Sequence, residues 1–105
     1  MKPDFLSVVY ISHPFGNDPK NIEKVQEVVK KMVHRYPDCM FISPLNAFSM
    51  LYEEISYQKG LDMCLWLLDR CDEMWVFGDY KNSRGCTEEI KFCEEHLIPF
   101  KIMDK

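Results

Sequence analysis

The 105 residues include only four glycines and three histidines, and the five cysteines, at positions 39, 64, 71, 86 and 93, form no C-x-x-C pair. An odd number of cysteines spread this way, far from the histidines, supports neither a disulfide framework nor a zinc site. No metal and no cofactor are expected. No apolar run approaches the ~20 residues that a membrane-spanning helix needs. Met1-Lys2-Pro3-Asp4 also lacks the apolar stretch and cleavage pattern of a secretory signal. The expectation is a cytoplasmic protein with no membrane partner. A basic excess is missing too: 13 lysines and arginines stand against 17 acids, for a net charge of −4, so nucleic-acid polymers are poor partners. Lys30, Lys31 and Arg35 do cluster, but Glu23 and Glu27 share their helix, as on a solvated face.

A composition that is 47% hydrophobic and 13% aromatic suits a single domain, 1–105, around one core. Cys64 and Cys71, like Cys86 and Cys93, share a helical face at a spacing of seven and act as small core hydrophobes. Leu6 to Ile11 is a β-branched apolar run that predicts a buried strand, followed by a loop from Ser12 to Asn17. Asp18-Pro19 then reads as an N-cap with proline at the first helical position, opening a helix up to Tyr36-Pro37 with Ile22, Val25, Val29, Met32 and Val33 inward. Cys39 to Ser43 predicts a second strand, and Asn46 to Ile55 a short helix with Phe48, Leu51, Tyr52 and Ile55 on one side. Tyr57 to Arg70 predicts a longer helix, Glu73 to Gly78 a third strand, Asp79 to Gly85 a polar loop, Cys86 to His96 a helix and Ile98 to Met103 a last strand. Alternating strands and helices imply an α/β fold with a mainly parallel sheet of about four strands and helices on both faces. Ligands of such sheets bind beyond the carboxyl ends of the strands, here at Ser12 to Asn17 and Asp79 to Gly85.

The second loop carries the most specific pattern, Ser83-Arg84-Gly85-Cys86-Thr87-Glu88-Glu89. Gly85 suits a tight turn, amides at the helix start can hold an anion, and Glu89 falls where its carboxylate could face the end of the first strand. Acids are also common in first helical turns without any catalytic role. At these residues the chain resembles the nucleoside 2-deoxyribosyltransferase-like superfamily, in which an acid or serine, then x-Gly, precedes a glutamate four residues after the glycine. Val9-Tyr10-Ile11-Ser12-His13-Pro14, Leu67 to Gly78 and His96 to Phe100 resemble its first strand and loop, its helix-to-strand segment and its last turn.

The resemblance implies a three-layer, flavodoxin- or Rossmann-like fold and N-glycosidic hydrolysis or transfer on a small-molecule nucleotide or nucleoside. It makes Glu89 the nucleophile at the sugar C1′, Tyr10 its orienting partner, and Ser83 a neutral hydroxyl where other members meet the 5′ end of the substrate. Ser12, His13, Gly16, Asp79 and Gly85 are the accompanying binding candidates. His13 stands where related loops often have glycine, and Arg84 is the basic residue nearest the loops. The family's acid toward the base corresponds to the position of Cys64, with Asp62 and Asp69 nearby; the site-facing end of the helix favours Asp62. A non-catalytic nucleotide- or ribosyl-phosphate-binding module is the alternative, and a purely structural subunit a third reading. Trp66, Tyr52, Tyr57 and Met50, on helices with occupied inward faces, lead to the expectation of a homodimer or higher homo-oligomer.

Overall fold

The computed structural model describes residues 3–103; the reading of Met1 and Lys2 as free of a secretory signal lies outside them. Four strands, β1 (Ser7–Ser12), β2 (Cys39–Ile42), β3 (Glu73–Val76) and β4 (Phe100–Ile102), form one all-parallel sheet in the order β2-β1-β3-β4. The fold is the three-layer α/β arrangement expected. Every connection holds a helix, because a parallel pair cannot be closed by a hairpin: α1 (Pro19–Arg35), α2 (Pro44–Phe48) with α3 (Tyr57–Leu68), and α4 (Arg84–His96). Strand order reverses between β1 and β3, which leaves a crevice at their carboxyl ends.

The alternation of side chains along β1 and β3 sorts the core into two layers. Val9, Ile11, Phe41, Trp75 and Phe77 meet Val25 and Met32 of α1, while Tyr10, Met74 and Val76 meet Cys64, Leu68 and Cys93 from α3 and α4. Asp18 caps α1 as anticipated, accepting a hydrogen bond from the Lys20 amide at 3.0 Å, and Pro19 takes the first helical position. Val33, read as inward, is exposed; Val28 packs against the core instead, because the buried stripe runs through Val25, Val28, Val29 and Met32. The helix predicted over 46–55 differs more. Ser43 caps α2, Pro44 starts it, and after Phe48 the chain tightens into a 3₁₀ turn, Ser49–Leu51. α3 starts at Tyr57, where the Ser56 hydroxyl accepts from the Lys59 amide at 3.0 Å. Gly60 lies in its first turns, packed against the Tyr52 ring, which a Cβ at that position would meet at 3.5 Å, an ordinary contact. Among the described residues no helix is long and apolar enough to cross a membrane.

Candidate active site

Tyr10 and Ser12 are fully buried on the α4 side of β1. Both aim their hydroxyls at Glu89, on the second turn of α4: Tyr10 donates to Oε2 and Ser12 to Oε1, the latter at 2.7 Å. Glu89 is only 6% exposed, and a carboxylate so placed loses its hydration. Burial therefore pushes its pKa up to about 7, against the opposing pull of the two hydroxyl donors. The Tyr10 phenol is likewise raised well above its ordinary value, first by burial and then by the neighbouring Glu89. No other acidic residue of the described chain is buried.

The carboxylate does not end in packed core. It lines a cavity of about 270 Å³ in the crevice, close to the lower end of small-ligand sites, which start near ~300 Å³. One wall comes from the loop after β1, with His13, Phe15 and Gly16. The α2 side and the following turn supply Pro44, Leu45 and Tyr52, α3 supplies Tyr57, Gly60, Leu61 and Cys64, and the start of α4 supplies Ser83, Gly85, Cys86 and Glu89. Gly16 has φ +58°, a left-handed conformation that lets the β1 loop turn before Asp18. The two loops of the crevice brace each other at Gly78, φ +75°, where a Cβ would stand 3.0 Å from the Pro14 ring.

At the mouth of the cavity Ser83 is the N-cap of α4, its hydroxyl accepting from the Cys86 amide at 3.2 Å. The first-turn amides of Arg84 and Gly85 have no partner within the helix. The Arg84 guanidinium stacks on Tyr57, 4.3 Å from the ring centroid. Deeper in, the Tyr52 hydroxyl lies 3.3 Å from Cys64 Sγ, and the Tyr52 and Phe15 rings meet at 5.8 Å, tilted by 51°. Burial weakens Cys64 and Tyr52 as acids. His13 Nδ1 donates to the Pro14 carbonyl oxygen, 2.8 Å away, and burial, with a smaller contribution from Lys24, lowers its pKa against the pull of that hydrogen bond.

The structure thus brings Glu89, Tyr10 and Ser12 into contact, and places His13, Gly16, Ser83 and Gly85 around the same cavity. Ser12 touches Glu89 and does not line the cavity, so it positions the carboxylate; the expectation that it binds substrate directly does not fit this placement. Asp62 and Asp79 stand apart. Asp62 is exposed and accepts a hydrogen bond from Gln58, one helical turn back, at 2.8 Å. Two residues further along α3 the helix has rotated by about 200°, and it is Cys64 that faces the cavity. Asp79 is exposed and engaged with Asn82, in a 3₁₀ turn, Tyr80–Asn82, where a loose loop was expected. Gly85 is not needed for a tight turn: it lies inside α4 without a positive φ, and a Cβ there would meet only Ser83 Oγ, at 4.0 Å. Its missing side chain leaves the cavity mouth open.

Phe15, Leu45, Tyr52 and Cys86 were not foreseen as cavity walls. Tyr52, expected on the apolar side of a short helix and as an oligomer-interface candidate, is half-buried with its ring against Gly60. A serine-capped helix start aimed at the switch point, Ser56-Tyr57, was the available signal for the α3 wall.

Residues 7–103 match the profile of a family described as a domain of unknown function (DUF7768). The chain belongs to this family. No curated protein matches it. The match spans all four strands, so the crevice and every residue of the Glu89 cluster lie within the DUF7768 domain.

Proposed function

We propose that this DUF7768 protein is an N-glycosidic bond hydrolase or transferase acting on a nucleotide or nucleoside, with Glu89 as nucleophile. The observation that carries this reading is a buried carboxylate, held by two hydroxyls, that faces an open cavity at the switch point of the sheet. A carboxylate has no structural need to be there, because a buried charge costs stability unless it is put to use. Its resemblance to the nucleoside 2-deoxyribosyltransferase-like superfamily rests on the same residues. In the mechanism Glu89 attacks C1′ as the bond to the base breaks, and water or an acceptor base then resolves the glycosyl ester. Tyr10 and Ser12 fix the carboxylate's orientation. The Ser83 hydroxyl, the first-turn amides of α4 and Arg84 favour a substrate carrying a 5′-phosphate. We place this activity in the cytosol, in keeping with five unpaired cysteines. The protein would act as a homo-oligomer that covers exposed aromatic and apolar side chains such as Trp66, Met50 and Tyr57; light scattering at the monomer mass over micromolar concentrations would remove that part.

Single-turnover release of free base is the decisive measurement, run on nucleosides and their 5′-monophosphates. Glu89→Gln keeps the shape but cannot form the ester, so release should fall roughly a thousandfold or more, ~4 kcal/mol of barrier. Release that survives Glu89→Gln sinks the mechanism. Ligand binding without release from any substrate would favour the alternative reading, a nucleotide- or ribosyl-phosphate-binding module.

A further inference from the structure

A neutral purine or pyrimidine carries away the electron pair of its glycosidic bond, and enzymes that expel one supply a proton to it. The lining of this cavity is poor in such donors. Glu89 is its only carboxylate, and neither lysine nor arginine is among the lining residues. Asp62 points outward. The Cys64 thiol and the Tyr52 hydroxyl lie 3.3 Å apart, engaged with each other, and burial weakens the two other acidic protons of the lining, the Tyr57 phenol and the Cys86 thiol. His13 is held by the Pro14 carbonyl, and burial lowers its pKa, which disfavours the protonated ring. The site also opposes the anionic form that the nucleophile needs, which a positive charge in the ligand would restore. Phe15 and Tyr52 add aromatic surface on which a flat cation can rest.

Building on the glycosidase reading, we propose that the cavity selects N-glycosides whose base is already a cation, of the N-ribosylpyridinium class. The leaving group then needs no acid. A Glu89 oxygen bonds to C1′, the C1′–N bond breaks, and its electron pair goes to the ring nitrogen, so that the base departs neutral and unprotonated. Water next adds to C1′, the ester bond returns its electrons to Glu89, and the water's proton passes to solvent.

Single-turnover base release tests this, with nicotinamide riboside and nicotinamide mononucleotide against inosine, adenosine and their 5′-monophosphates, each rate divided by its uncatalysed rate. The expected result is an advantage of at least a hundredfold for the pyridinium substrates, lost in Glu89→Gln. Normalised rates for the neutral bases that equal or exceed the pyridinium rates overturn the selectivity while leaving the glycosidase reading intact. A His13→Ala variant that slows only the neutral bases, at rates comparable to the pyridinium ones, would identify the missing donor and overturn it as well. Release from no substrate of either charge fells the glycosidase reading and this proposal together. A binding arm separates that case: 1-methylnicotinamide, a cation that cannot be cleaved there, should bind at least tenfold more tightly than nicotinamide in wild type and equally in Glu89→Gln. Equal binding in wild type overturns the cation selectivity whatever the rates show.

Discussion

On one side of β1, Val9 and Ile11 pack with Val25 and Met32 of α1 and with Phe41, Trp75 and Phe77 into a layer with no buried charge. On the other side, one residue away at each step, Tyr10 and Ser12 converge on a carboxylate buried beside thiols. The same six-residue strand therefore feeds two environments with opposite tolerances. The α1 side follows the ordinary logic of apolar burial, which stabilises by about 25 cal/mol per Å². The α4 side gives up part of that gain to keep a titratable group out of water. A division of labour of this kind can be broken from either side.

The largest expected effect falls on the α1 side. Trp75, 4% exposed and packed edge-on against Tyr36 and Phe41 at centroid distances of 5.0 and 5.5 Å, fills the centre of that layer. Trp75→Ala should cost about 3–5 kcal/mol of unfolding free energy, read by urea denaturation. The molecules that remain folded should keep Glu89 chemistry. A parallel loss of activity per folded molecule would show that the layers are not separable.

Next in size is the pH dependence of stability. Glu89 titrates at about 7 when folded against an ordinary 4.5, so between those values the folded chain holds a proton that the unfolded chain has released. Its contribution to stability is fully present below pH 4.5 and is lost as pH rises through about 7. The gap is worth about 3 kcal/mol. Relative to Glu89→Gln, wild type should therefore weaken by that amount between pH 4 and 8, while any activity needing the anion rises over the same interval. Denaturation curves of the two proteins that stay parallel across this range would contradict it.

A smaller effect is expected for Tyr10→Phe. One hydroxyl donor to the carboxylate disappears, which should cost about 1–3 kcal/mol and move the Glu89 titration upward, since hydrogen bonds to the anion lower its pKa. An activity profile whose acidic limb stays in place would mean that Ser12 alone holds the group.

Much of the architecture was legible because its signals are local. The β-branched run around Val9 and the Asp18-Pro19 start mark β1 and α1 within one or two residues of their observed ends. Ser43-Pro44 is the same cap-and-proline signature, but an apolar run just before it favoured a strand end, and α2 was placed too late and as one piece. The phase of α3 was harder. Asp62 and Cys64 sit two residues apart on opposite sides of a helix, and the buried stripe of Gly60, Cys64 and Leu68 turns Cys64 inward and Asp62 out. The link between Tyr10 and Glu89 spans 79 positions, a pairing no periodicity reveals; it was expected only from the resemblance to the nucleoside 2-deoxyribosyltransferase-like superfamily. The two tryptophans separate in the structure into core and surface, Trp75 4% exposed and Trp66 61% exposed beneath the Arg70 guanidinium.

The bracing contact between Gly78 and Pro14 has a consequence for which ligands the site can accept. Both walls of the crevice are referenced to a joint where backbone meets a proline ring with no side chain between them, and a methyl group there, 3.0 Å from the ring, would make it give by a few tenths of an ångström. An alanine at this position would carry the backbone strain of a φ of +75° and press on the loop that carries His13, Phe15 and Gly16. The aperture is thus referenced to a position outside the lining itself, so the placement of His13 at the cavity wall depends on a residue that the admitted molecule would not touch.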